Sequence, residues 1–234
     1  MNPDSARTAL VTGANGDLGM PLAARLCEEG FGVVVAARAK DTAAAVADEL
    51  TARYGGSVRP AVIDVTDPGT IEAALAAIGP VHVLVNNAGV LLTPGRRPSD
   101  ADLALVEREL AVNTLGAWRM AQAVLPGMFR RGWGRIVNVS SGTASFTYGL
   151  FPGTPGYTVS KAALNAITVI LARDTEGTGV LVNAVNPGRV RSRMCPDAQR
   201  TPQDAARSVV ALATLADDGP TGAFFRPDGE IMTW

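Results

Sequence analysis

The sequence predicts an α/β fold in which a doubly wound parallel sheet of about seven strands carries helices on both faces. Short apolar runs alternate along the chain with longer segments of helical periodicity. The runs are nearly continuous in Val, Ile and Leu, which is typical of strands buried on both faces. A glycine-rich turn follows the first of them. No linker or repeat interrupts the alternation, so we expect residues 1–234 to form one domain.

The first half of the chain contains four strand–helix units. Each strand is predicted from an apolar run bounded by turn residues, and each helix from apolar residues that recur at helical spacing. The runs TALVT, GVVVAA, PAVIDV and VHVLVN predict strands at 8–12, 32–37, 60–65 and 81–86. The segments that follow them predict helices at 18–29, 41–54, 68–78 and 99–131.

The second half continues the same alternation. GRIVNVS and VLVNAVN predict strands at 134–140 and 180–186, and a short last strand is expected at 223–225. Helices are predicted at 156–175 and 202–216. A barrel of eight strand–helix units is the alternative, but it normally takes about 250 residues and requires no glycine loop after its first strand.

Composition excludes several classes of protein. The chain is 47% hydrophobic and 18% charged, with a formal net charge of −1, so no basic excess attracts nucleic acid or an anionic membrane. Cys27 and Cys195 cannot form a disulfide scaffold, and the apolar runs are too short to span a bilayer. The first residues lack the pattern of a secretion signal. We therefore expect a protein of the reducing cytoplasm.

The turn after the first strand has the composition of a phosphate-binding loop. Gly13, Gly16 and Gly19 lie within the stretch TGANGDLG, where the first strand turns into the first helix. A turn without β-carbons lets backbone N–H groups and the positive end of a helix approach a diphosphate. Placed after the first strand of an α/β chain, this spacing indicates a dinucleotide site.

Four motifs together resemble the short-chain dehydrogenase/reductase family, and in particular its single-domain, carbonyl-reductase-like members. They are TGANGDLG at 12–19, NNAG at 86–89, YTVSK at 157–161 and NPGRVRSRM at 186–194. The resemblance covers essentially the whole chain and implies a Rossmann fold, a nicotinamide cofactor and a small-molecule carbonyl or alcohol substrate. It also implies a homodimer or homotetramer paired through the helices around 100–131 and 156–175.

One residue departs from the pattern of the shorter family members. They usually have TGxxxGxG, which would place a glycine at Asp17, whereas Gly13, Gly16 and Gly19 satisfy the TGxxGxxG of the longer members. A carboxylate beside two phosphates should weaken binding unless its side chain turns away or caps the helix. We still expect Asn15, Asp17 and Leu18 of this loop to contact the cofactor.

The end of the second strand predicts NADP rather than NAD. An NAD site offers an acidic residue there to the ribose 2'-hydroxyl, whereas this chain has Ala36, Ala37 and then Arg38, which can pair with a 2'-phosphate. The remaining cofactor contacts follow from the resemblance alone. It implies that the adenine, the ribose and the nicotinamide are lined by Asp64, Val65, Asn86, Asn87, Ala88, Gly89, Pro187, Gly188, Val190 and Ser192.

Tyr157 and Lys161 are the predicted catalytic pair and are also expected to contact the cofactor. Four residues apart on a helix, they project from one face about one turn apart. A nearby ammonium and the ribose hydroxyls would lower the pKa of the phenol towards working range. Reduction of a ketone also needs a second hydrogen bond to the carbonyl oxygen. Ser141 is the residue we expect to provide it, with Ser140 as the alternative.

Two further polar residues receive different predictions. Asn113 lies inside the long predicted helix, where asparagine competes for backbone bonds, and the resemblance assigns it to a proton relay with Lys161. His82, the only histidine, has no acidic or cysteine neighbours and is expected to pack at a strand end, with no metal site.

The predicted function is NADPH-dependent reduction of a ketone or aldehyde. Phe146, Tyr148 and Phe151 lie in the long segment between Ser141 and Tyr157, which favours a bulky hydrophobic substrate. One alternative is a non-redox relative, an epimerase, dehydratase or cyclase. Another is a dinucleotide sensor without turnover.

Overall fold

The computed structural model describes residues 7–234 as one eight-stranded sheet with helices on both faces. The strand order is β3-β2-β1-β4-β5-β6-β7-β8, and every pair is parallel except the last. The strands are β1 Thr8–Thr12, β2 Gly32–Ala37, β3 Val58–Val62, β4 Val83–Asn86, β5 Gly134–Val139, β6 Val180–Val185, β7 Phe224–Phe225 and β8 Ile231–Met232. The predicted doubly wound α/β class is therefore confirmed.

Seven α-helices are present in residues 7–234, and the sheet separates two cores. The helices are α1 Gly19–Glu28, α2 Lys40–Tyr54, α3 Pro68–Ile78, α4 Leu103–Leu110, α5 Ala117–Arg131, α6 Pro155–Asp174 and α7 Pro202–Ala213. One core packs α1, α2 and α7 against the sheet and the other packs α3, α5 and α6, with side chains such as Leu22 and Leu171 in them. Within residues 7–234, no helix is long and apolar enough to cross a bilayer.

The sheet has eight strands, one more than the number of runs from which about seven were predicted. β8 is a two-residue strand that pairs antiparallel with β7 after a turn at Gly229, whose φ is +89°. Ile231 is exposed and only Met232 is buried, so the segment has no continuous apolar run that would mark it as a strand. Short edge strands of this kind are specified by the pairing partner.

The single helix predicted at 99–131 is wrong, because the segment is interrupted twice. A short 3₁₀ turn covers Pro98–Asp100, and Asp102 then caps α4 by accepting a hydrogen bond from Ala104 N at 2.9 Å. A π-helical turn, Ala111–Gly116, separates α4 from α5. Gly116 packs tightly at this turn, since a Cβ there would lie 2.6 Å from Val65 Cγ2.

The strand order indicates where a ligand would bind. The chain winds outward from β1 through β2 and β3, then crosses to β4 on the other side of β1. Ligands of such sheets bind at the carboxyl ends of the strands where the winding reverses. That position is occupied here by the glycine turn after β1 and the segment after β4.

Gly19 is required by the packing of the turn itself, which gives a stability prediction. A Cβ at Gly19 would overlap Gly13 O and lie 2.8 Å from Ala14 Cα, and both are backbone atoms. We expect Gly19→Ala to lower the free energy of unfolding by roughly 2–3 kcal/mol. Urea unfolding measures the change. Gly32→Ala is the control, because its nearest contact would be an ordinary 3.7 Å; equal costs for the two variants would contradict the reasoning.

Candidate active site

The glycine turn brings the end of β1 against the segment after β4. Gly13 has a φ of +62°, and a Cβ there would lie 3.0 Å from Ala88 Cα. Gly16 N donates to Gly13 O at 3.0 Å, which closes the turn. The backbone therefore requires glycine at these positions for its own packing, apart from any ligand.

The N-terminus of α1 has the free donors that an anion needs. The helix has no side-chain cap and no acidic residue in its first turn. In residues 7–234 the backbone N–H groups of Leu18 and Gly19 donate no hydrogen bond. Unpaired N–H groups at the positive end of a helix form an anion site, so this end of the protein fits the diphosphate of a dinucleotide.

The side chain of Asp17 turns away from these donors. Its Oδ2 accepts hydrogen bonds from the backbone N of Arg193 at 2.8 Å and from Arg193 Nε at 3.3 Å. Arg193 belongs to the loop after β6, so the contact joins that loop to the glycine turn. Because a guanidinium neutralises the carboxylate, Asp17 does not project a bare negative charge at the anion site.

Arg38 and Asp64 lie at the ends of neighbouring strands. Asp64 Oδ1 accepts from Thr66 N at 2.8 Å and from Thr66 Oγ1 at 2.6 Å. These bonds lower the pKa of Asp64, with a smaller contribution from the positive charge of Arg38. Arg38 itself is exposed. Val65 is buried under the π-helical turn, so only its backbone is available to a ligand.

The segment after β4 is held to the glycine turn by hydrogen bonds. Thr12 Oγ1 accepts from Asn87 N and Ala88 N, both at 3.0 Å, and Asn87 Nδ2 donates to Gly13 O at 3.1 Å. The prediction that Asn86 lines the cofactor is wrong. Its side chain is buried and donates to Ala117 O and to Asn138 Oδ1, so it faces α5 and β5 and cannot line a ribose.

The loop after β6 contains the last group of predicted cofactor contacts. Gly188 has a φ of +81°, and its N donates to Asn186 Oδ1 at 2.9 Å. Val190 is buried, and Ser192 Oγ donates to Val190 O at 3.1 Å. Pro187 precedes Gly188 at the end of β6. The loop is thus ordered by its own hydrogen bonds.

Tyr157, Lys161 and Ser141 come together between α6 and the end of β5. The Ser141 hydroxyl is near enough to Tyr157 to lower the pKa of the phenol, and Ser141 Oγ accepts a hydrogen bond from Thr143 Oγ1 at 3.0 Å. Lys161 Nζ lies 5.7 Å from the centroid of the Tyr157 ring and donates to Val139 O at 2.7 Å. Gly89 lies beside them, since a Cβ there would be 3.6 Å from Lys161 Nζ.

Burial shifts the pKa values of the two titratable groups of this cluster. Burial raises the pKa of Tyr157 to about 12, while the nearby Ser141 hydroxyl lowers it and the charge of Glu109 raises it. Burial also lowers the pKa of Lys161 to about 8. Desolvation is the largest effect on both groups, and the Lys161 ammonium donates to the carbonyl of Val139.

The structure separates the two candidate serines. Ser140 is buried, and its Oγ donates to Asn165 Oδ1 at 2.5 Å. Its hydroxyl is thus occupied inside the interface between β5 and α6. Ser141 is the serine that faces Tyr157.

Asn113 lies in the π-helical turn with its side chain fully engaged. Oδ1 accepts from Val90 N at 2.8 Å, and Nδ2 donates to Val90 O and to Ser160 Oγ, each at 2.9 Å. The side chain therefore ties the segment after β4 to α6. The proton relay expected at Asn113 stays a prediction.

Two charged residues near the site were not predicted from the sequence. Glu109 is 0% exposed and lies four residues before Asn113, on the same face of the helical segment. The four-residue spacing from Asn113 is the feature of the sequence from which Glu109 could have been predicted. Arg193, which binds Asp17, has no signal in the sequence, because the two are distant along the chain. His82 accepts a hydrogen bond from Thr8 N on Nδ1 at 3.0 Å.

The segment between Ser141 and Tyr157 presents aromatic side chains to solvent. Phe146, Tyr148 and Phe151 are 70%, 63% and 50% exposed. Thr147 N and Oγ1 donate to Trp234 O at 3.1 and 2.9 Å, which fastens the segment to the last described residues. The aromatic surface is therefore held in place beside the Tyr157 cluster.

A doubly wound sheet, an anion site at α1 and a cluster of Ser141, Tyr157 and Lys161 at the end of β5 define an NAD(P)-dependent oxidoreductase that acts on CH–OH and C=O groups. Comparison with known proteins identifies the family. The family model described as short chain dehydrogenase matches residues 7–203. The chain belongs to the short-chain dehydrogenase/reductase family.

Individual relatives cover most of the chain. Oxidoreductase UcpA of Salmonella typhimurium is 33% identical over 96% of this chain and 89% of its own length. The NADPH-dependent aldehyde reductase-like protein of Arabidopsis thaliana chloroplasts is 32% identical over 86% of this chain and 78% of its own. Among solved structures, NADPH-bound carbonyl reductase from chicken fatty liver superposes with a TM-score of 0.86. It is 25% identical and covers 98% of this chain and 99% of that chain.

The burial of Lys161 gives a prediction of stability against pH. Its pKa is lowered from the ordinary 10.5 to about 8, so a charged Lys161 at pH 7 opposes folding. We expect Lys161→Met to raise the free energy of unfolding at pH 7 by on the order of 1–2 kcal/mol. Between about pH 8 and 10.5 the unfolded chain keeps a proton that the folded wild type releases, so wild-type stability rises and the gain shrinks.

Urea unfolding of the two proteins at pH 7 and pH 9.5 measures this difference. Lys40→Met is the matched control, because Lys40 is exposed at the start of α2. A gain that grows with pH, or a loss at pH 7, would show that the ammonium contributes to folding rather than opposing it.

Proposed function

We propose that this protein is an NADPH-dependent carbonyl reductase that interconverts a ketone or aldehyde and its alcohol, and that residues 1–234 form one catalytic domain. The observation that carries the proposal is the cluster at the end of β5. There Ser141 lies near the Tyr157 phenol, and Lys161 Nζ, one helical turn along α6, lies 5.7 Å from the centroid of the Tyr157 ring. Similarity to the chicken carbonyl reductase and to the Arabidopsis aldehyde reductase-like protein supports the same reading.

In this proposal the residues of the cluster have separate tasks. When bound, a reduced nicotinamide would supply the hydride for the carbonyl carbon. Tyr157 donates the proton to the carbonyl oxygen, and Ser141 orients that oxygen with a second hydrogen bond. Lys161 holds the cofactor ribose and places a positive charge near the phenolate that remains. Asn113 holds the segment around Gly89 in position.

The proposed cofactor contacts follow the geometry of the strand ends. The glycine turn and the backbone of Asn15, Leu18 and Gly19 would hold the diphosphate, and Asp17 would keep Arg193 beside it. Arg38 would pair with the 2'-phosphate, since it is exposed at the end of β2. The other proposed contacts, to adenine, ribose and nicotinamide, are Asp64, Val65, Asn87, Ala88, Gly89, Pro187, Gly188, Val190 and Ser192.

We also propose a bulky hydrophobic substrate and a homodimer or homotetramer in the cytoplasm. The exposed aromatic side chains between Ser141 and Tyr157 support the first point. Apolar side chains exposed on the helices expected to pair support the second: Leu103, Leu115, Phe129, Val159 and Ile170. Oxidation of NADPH with a panel of carbonyl compounds tests the substrate. A preference for small polar ketones would overturn that part.

Tyr157→Phe tests the proton donor. We expect turnover to fall by roughly 10²–10⁴-fold, because the carbonyl oxygen loses its proton source. NADPH affinity, measured by calorimetry, should stay within about twofold, since the ring and the backbone remain. Tyr54→Phe, at the end of α2, is the control. Substantial turnover in Tyr157→Phe would refute the assignment.

Arg38→Ala tests the choice of cofactor. We expect the dissociation constant for NADPH to rise about tenfold, because a charge-assisted pair with the 2'-phosphate is lost. The constant for NADH should change little. Fluorescence titration with both cofactors measures this, and Arg53→Ala at the other end of α2 is the control. An equal loss for NADH and NADPH would mean that Arg38 does not recognise the 2'-phosphate.

A further inference from the structure

The ion pair of Asp17 and Arg193 gives the glycine turn a contact that the family motifs do not imply. Asp17 occupies the position where the shorter family members usually have glycine, which has no side chain to bind a partner. The Asp17 and Arg193 side chains are 37% and 81% exposed. An exposed ion pair contributes little to folding, because water competes for both charges. Stability alone is thus a weak reason for this pair.

Two hydrogen bonds to one carboxylate oxygen hold Arg193 in place. Asp17 Oδ2 accepts from the backbone N of Arg193 at 2.8 Å and from Arg193 Nε at 3.3 Å. The contact thus fixes both the main chain of Arg193 and the inner end of its guanidinium. In residues 7–234 the terminal nitrogens of that guanidinium, Nη1 and Nη2, donate no hydrogen bond. Because a guanidinium carries N–H groups on all three nitrogens, this geometry leaves its outer edge free for an anion.

The guanidinium of Arg193 lies close to the anion site at the start of α1. Asp17 directly precedes Leu18 and Gly19, whose backbone N–H groups donate no hydrogen bond in the described part of the chain. Ordinary bond lengths, together with the contact to Asp17, place Arg193 Nε within about 10 Å of Leu18 N. Asp17 and Arg193 also line a cavity of about 500 Å³ where the glycine turn meets the loop after β6. A ligand at the start of α1 therefore has a cation within reach.

A diphosphate is the ligand that this combination suits. It carries negative charge on two phosphate groups, and the N–H donors of a helix start can contact one group while a guanidinium binds the other. The fork of donors on arginine matches phosphate oxygens in pairs. The Asp17 carboxylate by itself would repel the phosphates. Paired with Arg193, it serves instead to hold the cation where the phosphates are expected.

We propose that Arg193 binds the diphosphate of the nicotinamide cofactor and that Asp17 positions Arg193 for this contact. The inference rests on the cofactor site of the function proposed above and adds a cation that the family motifs do not assign. It also explains how an aspartate can replace a glycine in the turn, since the acidic side chain brings a basic residue of a distant loop to it. NADH and NADPH share the diphosphate, so both depend on Arg193, whereas only NADPH depends on Arg38.

Arg193→Met tests the contact with ADP-ribose, which keeps the diphosphate and lacks the nicotinamide. We expect the dissociation constant, measured by calorimetry, to rise about tenfold, because the diphosphate loses a charge-assisted bond and meets an unpaired Asp17. Arg193→Lys keeps the charge but not the fork of donors, so its constant should lie between those of wild type and Arg193→Met. Arg207→Met is the matched control, because Arg207 is 72% exposed and pairs with Asp204 in α7. An unchanged constant in folded Arg193→Met overturns the inference.

Asp17→Asn tests the positioning role of the carboxylate. The variant removes the negative charge and keeps an oxygen that can accept from the backbone N of Arg193. We compare the ADP-ribose affinities of the wild type, the two single variants Asp17→Asn and Arg193→Met, and the double variant. Loss of Arg193 should weaken binding about threefold less in the Asp17→Asn protein than in the wild type, because no unpaired carboxylate then remains beside the phosphates. Equal losses in the two backgrounds would overturn the positioning by Asp17.

Titrations with the whole cofactors separate Arg193 from Arg38. Arg193→Met should weaken the binding of NADH and NADPH by similar factors, because the two cofactors have the same diphosphate. Arg38→Ala should weaken the binding of NADPH alone. A loss confined to NADPH in Arg193→Met would mean that Arg193 binds the 2'-phosphate, and it would overturn the assignment to the diphosphate.

These binding measurements need no turnover, so their outcome is separate from that of the proposed function. Weaker ADP-ribose binding by Arg193→Met, in a protein that reduces no carbonyl compound, would refute the reductase and leave the role of Arg193 standing. Unchanged binding by Arg193→Met of a protein that does reduce carbonyls would overturn the inference alone. A wild type that bound neither ADP-ribose nor either cofactor would refute both.

Discussion

The segment from Asn87 to Thr93 imposes the constraint on which the site depends. It leaves β4 without regular secondary structure, yet it is enclosed by the glycine turn, α4 and α6. Backbone groups that are neither in a helix nor in a sheet must find side-chain partners when water is excluded. Thr12, Asn113 and Glu109 supply them, and each also contacts an element that carries a predicted site residue. Satisfying this backbone therefore aligns the whole site.

The same enclosure affects the electrostatics of the cluster of Ser141, Tyr157 and Lys161. Lys161 is buried and Tyr157 is half-buried, so desolvation favours the neutral form of both titratable groups. A neutral phenol is a donor, as reduction requires. The Lys161 ammonium has a hydrogen-bond partner within the protein, because Nζ donates to Val139 O at 2.7 Å.

At the glycine turn, where the cofactor phosphates are expected, the negative charge of Asp17 is balanced by an ion pair with Arg193 and not by burial. Asp17 interrupts the usual run of glycines, but Arg193 takes up its carboxylate and leaves the N–H groups at the start of α1 free. The residue that favoured a dinucleotide sensor without turnover is thus compatible with a binding site. It also joins two loops that flank the same ligand position.

The sequence alone determined the parallel α/β sheet, the glycine turn and the Tyr157–Lys161 spacing, because each depends on local periodicity or on the conformational freedom of single residues. It did not reveal β8, since an edge strand of two residues is specified by its neighbour. It did not reveal the π-helical turn, whose place depends on close packing of Gly116 against Val65.

Tertiary structure alone decided which polar side chains face the site. Ser140 and Ser141 are adjacent in the chain, as are Asn86 and Asn87, and only the position of α5 and α6 tells which member of each pair is buried elsewhere. The partners of Asp17 and Glu109 are likewise decided by folding. A hydrogen bond between segments far apart in sequence depends on the three-dimensional approach of elements, and no local pattern encodes that distance.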